Sequence, residues 1–160
     1  MAEGGLAFEV RKADWKQTRF AETAVPALAP GQVLFRVDRF ALTANNISYA
    51  LSGDLFGYWR FFPCEDGWGR IPVMGFADVI RSSHPAVSEG TRCFGFYPMA
   101  RHLVIEPGVV SPAQIVDAAA HRAGGGNGRR RVRRPAVVLL RDRDEFLPRG
   151  RQAARGAAPV

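Results

Sequence analysis

Apolar and polar residues alternate along the first three-quarters of this chain, and the alternation fades after Asp117. A period of two is the signature of strands with one face in a core, so it restricts the folded part to mainly β architecture. Leu6, Phe8 and Val10 alternate with Ala7, Glu9 and Arg11, which predicts a first half-buried strand. Val33, Phe35 and Val37 alternate with Leu34, Arg36 and Asp38 and predict another, launched by Pro30-Gly31. Ile71–Ser82 reads as an apolar strand whose Gly75 points to a bulge or a close backbone approach. Cys93–Tyr97 and His102–Glu106 predict two more short strands, with turns at Glu89-Gly90, Pro98 and Pro107-Gly108. Ala24–Pro30 reads as an extended loop, and only Asn45–Leu51, after Thr43, reads as helix. Short strands with turns at this spacing predict a partly open barrel or a sandwich with short helices rather than alternating β/α units.

Charge divides the chain at the same place. The first 120 residues carry 11 Lys+Arg against 12 acids, a net charge of −1, so the last 40 residues carry +8 of the total +7. Of residues 122–160, 26 of 39 are Arg, Gly, Ala or Pro, too few large apolar groups to offset the entropy of ordering. The expectation is a domain over 1–121 and a disordered basic tail over 122–160, with Ala136–Leu140 as an isolated apolar patch. No long apolar run or signal-like leader is present, which predicts a cytoplasmic chain with no membrane partner. Two cysteines, Cys64 and Cys93, in no CxxC pair, read as thiols in a reducing compartment. Between Phe56 and Trp68 lie Tyr58, Trp59, Phe61 and Phe62, laced with glycine and proline; they suit either an apolar pocket wall or an irregular segment closing the core.

Four stretches in order carry a resemblance. They are Pro30–Val37, Leu42–Ile47 (LTANNI), Ile71–Ile80 (IPVMGFADVI) and Glu89–Gly95 (EGTRCFG). Together they resemble the GroES-like catalytic domain of the medium-chain dehydrogenase/reductase superfamily, a partly open β-barrel, over residues 30–121. TANNISYALSGD, YWRFFP and HLVIEPG narrow it to an uncharacterised, quinone-oxidoreductase-like bacterial family within that superfamily. Zinc-dependent members place Cys and His ligands where this chain has Asn45 and Phe76, so the resemblance implies a zinc-independent branch. The family Asn-x-x-Asp motif falls on Asn45–Ser48, with its Asp replaced. The implied substrate is a small carbonyl or quinone-like molecule, and the implied cofactor is NAD(P)H.

On that reading Asn45 is a catalytic candidate, an amide able to orient a nicotinamide or to polarise a carbonyl that gains negative charge. Tyr49, one turn onward, is expected to assist it. Asn46, Tyr58 and Trp59 are the substrate-binding candidates. The alternative for Asn45 and Asn46 is capping of the short helix; for Tyr58 and Trp59 it is packing.

A dinucleotide site in that superfamily needs a second domain with a strand–glycine-rich turn–helix unit. Gly124–Gly128 has no strand before it, and Arg129–Pro135 follows it in place of an apolar helix, so it does not qualify. This chain alone is therefore not expected to bind NAD(P)H well or to turn over. One explanation is a reading frame lost near residue 122, because out-of-frame GC-rich DNA encodes Arg, Gly, Ala and Pro. Another is a binding protein whose Arg129–Arg134 run contacts nucleic acid or another polyanion; without interleaved aromatics it is the weaker reading. A third is a self-standing ligand-binding or oligomerisation module. Oligomeric state is left open.

Overall fold

The computed structural model describes residues 4–122 and 138–141. It is mainly β, as the alternation predicts, and is built on two antiparallel sheets. The smaller has the order β2-β1-β4, from β1 (Gly5–Arg11), β2 (Thr18–Thr23) and β4 (Trp68–Gly69). The larger is a nearly closed, barrel-like sheet of seven strands. Its members are β3 (Val33–Ala41), β5 (Pro72–Ser82), β6 (Arg92–Pro98), β7 (His102–Ile105), β8 (Pro107–Val110), β9 (Gln114–Asp117) and β10 (Val138–Arg141). They run in the order β7-β3-β5-β6-β10-β9-β8. After β3 come α1 (Ala44–Leu51), α2 (Gly53–Phe56) and a 3-10 turn at Tyr58–Arg60. No helix among the described residues is long and apolar enough to cross a membrane.

The core joins Val33 and Phe35 of β3, Val73, Ala77 and Val79 of β5, Cys93 and Tyr97 of β6, and Leu103 and Ile105 of β7. Cys64 is half-buried outside it, and no disulfide joins the two cysteines. The expected turns at Pro30-Gly31 and Glu89-Gly90 form, with Gly31 and Gly90 at positive φ, where an L side chain is strained. Gly75 marks the close approach its position implies. It pairs with Phe40 across a register shift in β3, and a Cβ there would strike the Arg39 carbonyl and the Phe40 side chain.

Three expectations need correction. Both faces of β1 are covered: Ala7 and Glu9 are at 0% and 1% exposure, while on the expected apolar face Val10 is in the core at 1%, Phe8 packs against it and only Leu6, at 53%, is exposed. Alternation distinguishes the two faces of a strand; whether one or both are covered depends on what packs against each. Pro107-Gly108 is not a turn but the start of β8, paired with β9. The ordered chain also runs past residue 121. Arg122 is buried, and Val138–Arg141, expected to be disordered, forms a strand between β6 and β9 with Leu139 at 0% exposure. The physical reason is a slot: Gly95 of β6 has no side chain, and Leu139 packs against it. The remaining tail, 123–137 and 142–160, with the Gly124–Gly128 and Arg129–Arg134 runs, lies outside the described residues.

Candidate functional site

The sequence-predicted residues are placed by α1 and the aromatic segment after it. Asn46 is buried, and its amide is consumed by the fold. Its Oδ1 accepts from the Thr43 backbone N–H at 2.6 Å, one arm of a capping box, and its Nδ2 donates to the Pro72 carbonyl at 2.8 Å. It tethers α1 to the start of β5, so the capping alternative describes it better than substrate binding. Asn45, one residue earlier, is exposed, and its amide has no protein partner among the described residues. Tyr49 follows at i+4 on the same helical side.

Tyr49 is half-buried in a network of rings. Its centroid lies 4.7 Å from Tyr58 and 6.0 Å from Phe96 of β6. Tyr58 also meets Phe61 at 6.2 Å, and Phe61 meets Phe96 edge-on at 5.5 Å. These separations are those of favourable aromatic pairs. Trp59, by contrast, is 7% exposed and lies between Gly53 and Gly69, where any Cβ would collide with the indole. Glycine at both positions lets the ring through, so Trp59 packs rather than lines a site. Beside this wall, α1 and α2 carry exposed Ile47, Leu51, Leu55 and Phe56.

Phe76 is held by Phe94 at 5.0 Å and lies under the Arg92 guanidinium. Among the described residues no three of His, Cys, Asp and Glu converge as metal ligands.

Two charged clusters escaped the sequence reading. Glu9 is a buried carboxylate gripped from both sides. Arg19 of β2 donates to Oε2 at 2.8 Å and 3.0 Å, and Arg70 donates to Oε1 at 3.0 Å. Arg19 and Arg11 also stack on Trp68, at 4.0 Å and 4.4 Å. The only signal was a carboxylate in an otherwise apolar strand. The second cluster closes the described domain. Arg122 pairs with buried Asp117 and donates to the Phe61 carbonyl at 2.7 Å, tying the segment after β9 to the aromatic segment. Burial lowers the Arg122 pKa to about 10, so it remains a cation at neutral pH. Its burial was hidden because it reads as the first arginine of a basic tail.

Compared with known families, residues 40–134 match the family described as "Protein of unknown function (DUF2855)". The chain belongs to the DUF2855 family. The match takes in the end of β3, both helices, the aromatic segment and β5 to β9, so all five predicted site residues lie within the DUF2855 region. No curated protein matches the chain.

Proposed function

We propose that this DUF2855 chain carries the catalytic-type domain of a zinc-independent, NAD(P)H-dependent reductase of cytoplasmic carbonyl or quinone-like compounds. One observation carries the reading: the unpartnered, exposed amide of Asn45 sits one turn from Tyr49, whose ring joins Tyr58 and Phe96 in an aromatic wall. A flat, apolar substrate would lie against those rings. The Asn45 amide N–H would then donate to the carbonyl oxygen as negative charge develops there.

A nicotinamide nucleotide supplies the hydride in such chemistry, but the described residues do not fit one. None of them forms a strand–glycine-rich turn–helix unit, and the proposal assigns the nucleotide to a second domain. The exposed apolar run from Ile47 to Phe56 beside the wall suits a face that meets such a domain.

The DNA downstream of codon 141, translated in all frames, is expected to encode a strand–glycine-rich turn–helix pattern. The protein with that frame restored is expected to oxidise NADPH with quinones or enones, and Asn45→Ala to lower kcat by about 100-fold, as for other lost oxyanion donors. The 160-residue chain alone is expected to show no turnover. A downstream sequence without that pattern, or robust turnover by this chain alone, would overturn the proposal.

A further inference from the structure

β2 is an edge strand, and its hydrogen-bonding parity can be read from its neighbour. The Phe8 N–H donates to the Met99 carbonyl at 2.8 Å, and the Leu6 carbonyl accepts from the Arg101 N–H at 2.9 Å. Both groups of β1 therefore point away from β2. Phe8 and Leu6 face Phe20 and Glu22 in the ladder, so these are non-hydrogen-bonded pairs. The Arg11 N–H donating to the Gln17 carbonyl at 2.9 Å fixes the complementary set. It follows that the N–H and C=O groups of Thr18, Phe20 and Glu22 all point outward from the sheet edge. Among the described residues β1 is the only strand that pairs with β2. The ladder between them is unbroken over six pairs, without the bulge or proline that usually blunts an edge.

The same residues carry the exposed surface. Phe20 is 73% exposed and stacks on Phe8 at 5.6 Å. It walls an apolar groove of about 400 Å³ with Leu6, Phe8, Phe40 and Leu42. None of the site candidates lines that groove.

We infer that β2 pairs antiparallel with β2 of a second copy of this chain, about a two-fold axis through Phe20. The parity selects the register. Only pairings that set even-numbered residues against even-numbered residues bring outward groups together, and centring on Phe20 uses all of them. Phe20 then faces Phe20 of the second copy, and Thr18 faces Glu22 on either side. Such a contact is isologous and closes on itself. The charges agree with it on the Phe20 face: Lys16, in the turn just before β2, comes alongside Glu22 of the other copy, which stands opposite Thr18, while Arg19 lies on the opposite face across from Ala21. Arg19 brings its own counter-ions, Glu9 and Glu65, at 2.8 Å and 2.7 Å. The joint would make one continuous sheet, β4-β1-β2-β2-β1-β4, and cover both Phe20 rings.

Sedimentation equilibrium of the full 160-residue chain tests this. The expected mass is twice 17.5 kDa. Glu22→Pro removes an outward N–H that β1 does not use, and is expected to raise the dimer dissociation constant by at least about tenfold while leaving the folded circular dichroism spectrum intact. In a Cys64→Ser background, Phe20→Cys is expected to form an interchain disulfide on mild oxidation, because directly opposed residues in a hydrogen-bonded pair lie about 5.5 Å apart at Cα. Ala21→Cys, on the other face and opposite Arg19, is expected not to. A monomer at the highest soluble concentration overturns the inference. So does a dimer that survives Glu22→Pro unchanged, or one in which Phe20→Cys fails to cross-link.

Discussion

Glu9 shows what one residue can do in this fold. Its carboxylate is 1% exposed, which would be costly for a lone charge, yet two guanidiniums from different parts of the chain meet it. Arg19 comes from the neighbouring strand, and Arg70 from 61 residues away at the foot of β5. The cluster thereby pins the small sheet to the aromatic segment. Removing the buried charge leaves both arginines facing a neutral group, so Glu9→Gln is expected to lower unfolding stability by about 3 kcal/mol in urea titrations. Local sequence could not have shown this, because an acid between apolar neighbours reads as the solvent side of a strand. The carboxylate is inside only because Arg70 arrives there. Trp59 teaches the same lesson in reverse. A tryptophan in an aromatic run suits a pocket, and it was Gly53 and Gly69, spaced around it in the sequence, that opened a slot for packing.

The elements split by how much of their logic is local. The strands beginning at Val33, Pro72, Arg92 and His102, and helix α1, were legible because their periodicity lies within one element. β2, with the sequence TRFAET, was not, since it has no apolar alternation and is held by its ladder with β1. Joints between elements were also invisible in sequence. Asp38 of β3 pairs with Arg92 of β6 and with Arg39, and Arg92 reaches Asp78 of β5 at 2.7 Å, clasping three neighbouring strands. Hydrogen bonds from Arg92 first, then from Arg39, hold the Asp38 carboxyl below its ordinary value of 3.8. A carboxyl with a lowered folded pKa adds stability above its unfolded value and loses it as pH falls through the lower folded value. The drop in Tm between about pH 5 and about pH 3 is therefore expected to be smaller in Asp38→Asn than in the parent protein.

On the scale of the whole molecule, the barrel-like sheet does not end where the composition changes. β10 lies between β6 and β9, and its Leu139 is a full member of the core although the sequence around it is rich in arginine and proline. Four residues with three consecutive apolar side chains suffice when a glycine opposite leaves room for one of them. Leu139→Ala is expected to cost about 3 kcal/mol of unfolding stability, the range of a buried leucine truncation. An unchanged denaturation midpoint would show that the strand does not hold. The pairing matters for the site as well, because β6 supplies Phe96 to the aromatic wall and β10 covers the edge of β6.

The sequence by itself determined that the chain would be mainly β, where most strands begin and turn, and that Asn45 and Tyr49 would share one short helix. Those properties follow from a repeat of two or 3.6 residues and from turn residues, all of them short-range. Tertiary structure alone decided that Glu9 on β1 is buried, that Asn46 is spent on Pro72, that Trp59 fills a glycine slot, and that the strand at 138–141 joins the sheet. Each of these depends on a partner from a distant part of the chain. Burial and hydrogen bonding are properties of such pairs, and a pattern along one strand carries only half of each pair.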